Sequence, residues 1–245
     1  VLNLTNVVRV AAGGHHSLAV PGDGTAWAFG SNSSGQLGDG TTLTHALPVP
    51  VLGLTNVVAT AAGEFHSLAM LGNGTVRASG YNFYGQLGSG TTASSSTPIQ
   101  VLNLTNVVAV AAGFYHSLAV RGDGALLAWG WNSSGQLGNG GISSLSTPNQ
   151  VPNLTNVVAC AAGLFHTLGS GQLGNGTTSY SLTPIPVPSL TNVVAVAAGG
   201  VHSLAVLSDG TVWAWGSNGT GQLGNGTTSN SPTPVQVLGL TNVAL

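Results

Sequence analysis

The chain has 245 residues, with three arginines and no lysine against five carboxylates, so 3% of it is charged where ordinary soluble domains carry about 25%. A net charge of −2 with so few cations cannot neutralise a run of phosphates, which argues against nucleic acid and anionic membrane surfaces as partners. Hydrophobic residues at 42% suffice for a packed core and argue against disorder, while no apolar run reaches the roughly 18 residues of a membrane helix, so no membrane insertion is expected. A single cysteine leaves no internal disulfide framework.

The phrase L-T-N-V-V begins at Leu4, Leu54, Leu104, Leu154 and Leu190, and a clipped L-T-N-V returns at Leu240. The offsets are 50, 50, 50, 36 and 50, which makes internal repetition the first fact about the architecture. The units are 1–50, 51–100, 101–150, a truncated 151–186, 187–236 and the start of a sixth at 237–245, within one domain. Both ends fall inside the repeated phrase, so the chain is expected to be a mature product or a segment of a longer repeat array.

Each full unit holds four short apolar stretches. In the third they are Val107–Ala112, His116–Val120, Ala125–Trp129 and Thr147–Val151. All have strand length and are bounded by Gly, Asn, Asp or Pro. Gly22-Asp23-Gly24, Gly72-Asn73-Gly74, Gly122-Asp123-Gly124 and Ser208-Asp209-Gly210 mark hairpin turns between strands two and three. Four antiparallel strands in about 50 residues make a β-propeller blade, and the fold class is all-β. The fourth unit is shorter than the fifth by 50 − 36 = 14 residues. The end of strand two, the turn and strand three are what it lacks. Both cut ends lie on one face of a meander, so a stunted blade with fewer strands is expected.

The phrases A-A-G-x-x-H-S-L-A-V, D-G-T-V-W-A-W-G and G-Q-L-G recur in that order along essentially the whole chain. They resemble regulator-of-chromosome-condensation repeats. That family's usual ring has seven blades, so five units with one shortened imply an open or incomplete ring.

Positions constant between units read as scaffold. His16, His66, His116, His166 and His202 occupy one place, each on a different blade, too far apart to share a metal at about 2.0–2.1 Å. Each is expected to bond nearby backbone before strand two. Trp27, Trp129, Trp213 and Trp215 are expected between blades, and unit two departs with Arg77 and Ser79 in the places of Trp27 and Phe29. Cys160 stands where other units have Val or Thr and reads as a small core residue.

Two loops vary, and both leave the same face of the blade. They carry Phe65, Tyr81, Phe83, Tyr84, Phe114, Tyr115, Trp131 and Phe165. Aromatics on a Ser-, Gly- and Asn-rich surface are costly to expose and mark interface hot spots, although the same rings could cap blade ends as local packing. The resemblance supports a contact role: in the similar propeller-type β-lactamase inhibitors, aromatics just before H-S-L touch the enzyme, a place held here by His15, Phe65, Tyr115, Phe165 and Val201.

No pair among Asp23, Asp39, Glu64, Asp123 and Asp209 recurs at a spacing suited to acid–base work, so neither catalytic residues nor a metal or cofactor are expected. The leading expectation is a non-catalytic module offering loop aromatics to a protein or glycan partner, outside the cell or at its surface. The alternative is a structural repeat protein that self-associates head to tail as a homo-oligomer or filament. Enzyme inhibition and guanine-nucleotide exchange, both suggested by the resemblance, rank behind these.

Overall fold

A computed structural model describes residues 4–163 and 171–243. Among the described residues, sixteen strands form four antiparallel sheets of four, each in chain order. The first blade is β1 (Val7–Ala12), β2 (His16–Pro21), β3 (Trp27–Gly30) and β4 (His45–Pro50). The second is β5 (Val57–Ala62), β6 (His66–Leu71), β7 (Val76–Gly80) and β8 (Ser95–Gln100). The third is β9 (Val107–Ala112), β10 (His116–Arg121), β11 (Leu126–Gly130) and β12 (Leu145–Gln150). Unit five supplies β13 (Val193–Ala198), β14 (His202–Leu207), β15 (Val212–Gly216) and β16 (Ser231–Gln236). The fold is an all-β propeller. Val10 on β1 is 76% exposed, whereas its counterparts Thr60 and Val110 are half-buried, as befits an arc whose first blade has no neighbour on one side.

The repeated residues explain the blade. The turn between strands two and three closes with Gly24 N donating to Pro21 O at 3.1 Å, and Gly24 alone adopts the left-handed region, at φ 76°. Asp23 serves differently: its Oδ1 accepts from Thr25 N at 2.9 Å. The Asn of L-T-N is also left-handed, at φ 57° in Asn56 and Asn106, a conformation Asn tolerates better than other side-chain-bearing residues. That bend lets Val57 N reach Gly24 O at 2.9 Å and Val107 N reach Gly74 O at 3.0 Å, stitching each strand one to the preceding blade's turn.

The blades are joined by a buried relay. His16 Nε2 lies 2.8 Å from Ser67 Oγ of the next blade, and His66 Nε2 lies 2.9 Å from Ser117 Oγ. Each serine hydroxyl in turn donates back, Ser67 to Gln36 O at 2.6 Å and Ser117 to Gln86 O at 2.9 Å. A hydroxyl has one proton, and it goes to the carbonyl. The imidazole therefore carries a proton on Nε2, and burial, which disfavours the charged ring, keeps it neutral. Nδ1 is left without a hydrogen bond in His16 and His66, packed on Gly13 and Gly63, where any β-carbon would collide with the ring. For His16 and His66 the expected bond to nearby backbone is thus replaced by a bond across the blade joint, with the ring lying over the glycine of its own turn.

Trp129 Nε1 adds a second donor to Gln86 O at 2.8 Å, and Trp215 does the same to Gln172 O at 2.8 Å. Trp27 and Trp213 instead stay half-buried on their own blades, each bonding the Thr of its hairpin at 3.2 Å. At the joint of blades one and two, Ser79 stands where Trp129 stands in blade three, at 3.5 Å from Gln36 O.

Burial, with His15 second, pulls His16 down to about 4; burial, then His116 and His16, pulls His66 down to about 3. Both titrate near 6.5 when unfolded, so the unfolded chain takes up protons that the folded chain refuses. Stability is complete above pH 6.5 and falls as the pH drops toward 4. Unfolding free energies from urea titrations should decline across that window, and the midpoints with them, with a slope approaching about 1.4 kcal/mol per pH unit for each buried histidine. A flat midpoint would contradict the neutral, Nε2-protonated assignment.

Candidate functional site

The five A-A-G turns, from Ala12–Gly14 round to Ala198–Gly200, line one axial opening of about 200 Å³. In the four intact blades the turn is tight, with Gly13 N bonding His16 O at 2.8 Å and Gly63 N bonding His66 O at 2.9 Å, so the two residues between Gly and His are pushed out at the mouth. The loop after strand three is drawn to the same place. Tyr81 N donates to Phe65 O and Trp131 N to Tyr115 O, both at 2.9 Å. Two segments far apart in sequence are thereby fixed side by side on every intact blade.

On blades two and three this brings the aromatics into one cluster centred on Tyr115. Its ring stacks on Phe65 at 5.9 Å, meets Phe114 edge-on at 4.3 Å, and approaches Tyr84 at 5.1 Å, Tyr81 at 5.5 Å and Trp131 at 6.2 Å. Phe83 extends the group, meeting Tyr84 edge-on at 5.2 Å and stacking on Tyr81 at 6.4 Å. Phe83 is 64% exposed, and the others are half-buried. Phe83 thus faces solvent while the half-buried rings pack on one another. Phe165, expected on this face, lies outside the described residues.

Two residues at the variable positions complete the surface. Glu64 sits over Gly14 at the rim of the opening, and its Oε1 lies 3.2 Å from His15 Nε2. His15 also reaches the ring of Phe65 at 6.4 Å. Burial, then Tyr81, Tyr84 and Glu64, raises the Tyr115 phenol above its ordinary value, so it stays a neutral hydrogen-bonding group at physiological pH.

Elsewhere the chemistry is quiet. Burial pushes the Cys160 thiol up to about 12, which removes the thiolate a nucleophile requires. Among the described residues no three His, Cys, Asp or Glu side chains converge as a metal site. Asn32, Asn132 and Asn218, which sit in glycosylation triplets, are fully buried and bond loop groups such as Leu37 N, Leu137 N and Leu223 N at 2.9 Å. They are loop anchors.

The sequence matches the regulator of chromosome condensation (RCC1) repeat over residues 23–70, 73–120, 123–170, 169–206 and 209–244, and a second description of that repeat over 7–36, 57–86, 107–136 and 193–222. The chain belongs to the RCC1 repeat family. Human WBSCR16 superposes with a TM-score of 0.82 at 26% identity, over 94% of this chain and 67% of that one. Prp20p of Saccharomyces cerevisiae, studied for its binding properties to Gsp1p and histones, superposes at 0.59 and 24% identity, over 97% and 52%. The CR4 receptor-kinase ectodomain of Physcomitrella patens gives 0.55 at 15%, over 86% and 52%. The chain thus spans about half the length of Prp20p and CR4.

Because Tyr115 is the hub, Tyr115→Ala should lower unfolding free energy by about 1–3 kcal/mol in urea titrations, while Phe83→Ser should change it by less than about 0.5 kcal/mol. Equal effects would contradict the division into packed and exposed rings.

Proposed function

We propose that the chain is a non-catalytic protein-binding module and that its contact face is the aromatic cluster around the axial opening. The observation that carries this reading is the convergence of Phe65, Tyr81, Phe83, Tyr84, Phe114, Tyr115 and Trp131 into one connected aromatic patch. A scaffold needs no such patch: blade five carries Gly200, Val201 and Ser217 at the corresponding places. Rigid rings cost little entropy to order on binding, and a half-buried aromatic group is pre-organised by its neighbours. Tyr hydroxyls and the Glu64 carboxylate supply polar anchors around the apolar centre. The similar Prp20p has been crystallised with Kap60 bound to it, which supports a protein as the class of partner. The lysine-free, Asn- and Thr-rich surface is the ground for placing the module outside the cell or at its surface.

The test removes three rings around the hub and leaves Tyr115 itself in place, with the variant's unfolding midpoint checked against that of the unaltered chain. Affinity capture with the chain and with Phe83→Ser, Tyr84→Ser, Trp131→Ser as bait should recover a protein partner only with the first. Its affinity should fall by at least about 30-fold in the triple variant, the effect of losing about 2 kcal/mol of hot-spot contact. A partner held equally by both baits would remove the binding role from this face. Recovery of the chain's own copies alone would favour self-assembly.

A further inference from the structure

Of the five carboxylates, four are held within their own turns or loops. Asp23 and Asp209 accept from the threonine two residues on, and Asp123 pairs with Arg121. Asp39 accepts from Thr41 and Asn32 and lies 2.9 Å from His45 Nε2. Glu64 is different. It stands on the aromatic face, at a place where the other units have Gly14, Phe114, Leu164 and Gly200. Among the described residues its carboxylate has one hydrogen-bonding or ionic partner, the His15 imidazole of the preceding blade at 3.2 Å. The Glu64 side chain is 15% exposed, largely covered but not sealed.

The surroundings hold that carboxylate in place. A β-carbon on Gly14 would collide with it, so glycine there makes its room. Gly14 N also donates to Gly63 O at 3.1 Å, which fastens the turn of blade one to the residue just before Glu64. Phe65 follows directly, its ring stacked on Tyr115 at 5.9 Å and met edge-on by Tyr81 at 6.3 Å. A carboxylate beside a fixed aromatic ring suits a flat cation, whose edge bonds the carboxylate while its face lies on the ring. The chain itself sketches that arrangement. The planar His15 ring reaches Glu64 by its edge and lies 6.4 Å from Phe65, tilted by 47° and so too oblique to stack. The His15 side chain is 64% exposed, and an exposed pair of this kind contributes little, so a better-fitting cation can displace it.

We propose that Glu64 and Phe65 form a subsite for an arginine side chain of the protein partner, with His15 as its displaceable occupant in the free chain. The inference rests on the binding role proposed above for this face. A guanidinium fits better than an ammonium because it is planar. It can meet the carboxylate bidentately and still lay its face on a ring, whereas an ammonium acts as a point charge. Gly14, His15, Glu64, Phe65 and Tyr115 all lie on blades one to three, so the subsite takes nothing from the fourth unit.

The probe is the peptide acetyl-Gly-Arg-Gly-amide, titrated into the isotope-labelled full chain and followed by its amide shifts. Saturable shifts centred on Gly14, His15, Glu64 and Phe65 are expected. The citrulline analogue, uncharged and of the same shape, should bind at least about tenfold more weakly, and so should the arginine peptide to Glu64→Gln. The lysine analogue should bind more weakly than the arginine peptide. Gly14→Ala keeps the charge but moves it, and should weaken binding as well. His15→Ala clears the carboxylate and should tighten binding about 1.5- to 5-fold. A Glu64 that merely held the turn would not give opposite signs at these two neighbours. The proposal is overturned if the arginine peptide gives no saturable shifts, if the citrulline or lysine analogue binds as well, or if Glu64→Gln binds unchanged. The capture experiment above alters Phe83, Tyr84 and Trp131 and none of these residues, so failure of the subsite and failure of the binding face are read separately.

Discussion

The hydrogen-bond relay between neighbouring blades is the interaction on which everything else rests. An imidazole N–H, a serine O–H and a glutamine carbonyl are buried together, and each has the partner it needs only when the next blade is in register. A buried polar group without its partner costs about 1–3 kcal/mol, so the relay penalises a misplaced blade more than it rewards a correct one. It also explains why the residues around it hardly vary. Gly is required beneath the ring, His is required for an N–H that reaches across, and Ser is required because one hydroxyl must accept and donate at once. Stability in such an array is a sum over nearest-neighbour joints, and the joints are not equal. The second carries an indole in addition to the relay, while the first makes do with Ser79.

Much of this was legible in the residues. The 50-residue period, the four strands of each unit and the turn residues all follow from local chemistry, and strand ends differ from the sequence reading by one or two residues. The relay was not legible. A repeat shows that His is constant and that a Ser or Thr always follows it, but says nothing about which copy of one meets which copy of the other. Adjacent residues on a strand point to opposite faces, which rules out a His–Ser contact within one blade and gives no hint of the contact between two. The left-handed Asn of L-T-N was similarly hidden, since its signal was simply that Asn never changes.

The aromatic face illustrates the complementary case. Its residues stood out because they vary where their neighbours do not, and the placing of both loops on one side followed from strand order. What the sequence lacked was the hydrogen bond from Tyr81 N to Phe65 O and its counterpart at Trp131, which turns two loops into one surface. Glu64 and His15 belong to that surface for the same reason. A rigid inter-blade scaffold with free positions at its mouth is a sound arrangement for recognition: the joints fix geometry, and the mouth is left to chemistry. The fourth unit departs from the pattern in the other direction, since its sequence lacks the end of strand two, the turn and strand three.

The most direct test of the relay is a double-mutant cycle on His66→Ala and Ser117→Ala, with unfolding free energies measured in urea at neutral pH. If the two groups form one buried hydrogen-bonded unit, the double variant should be less destabilised than the sum of the singles by about 1–2 kcal/mol. Additivity within about 0.3 kcal/mol would contradict the account and leave the blades held by apolar packing alone.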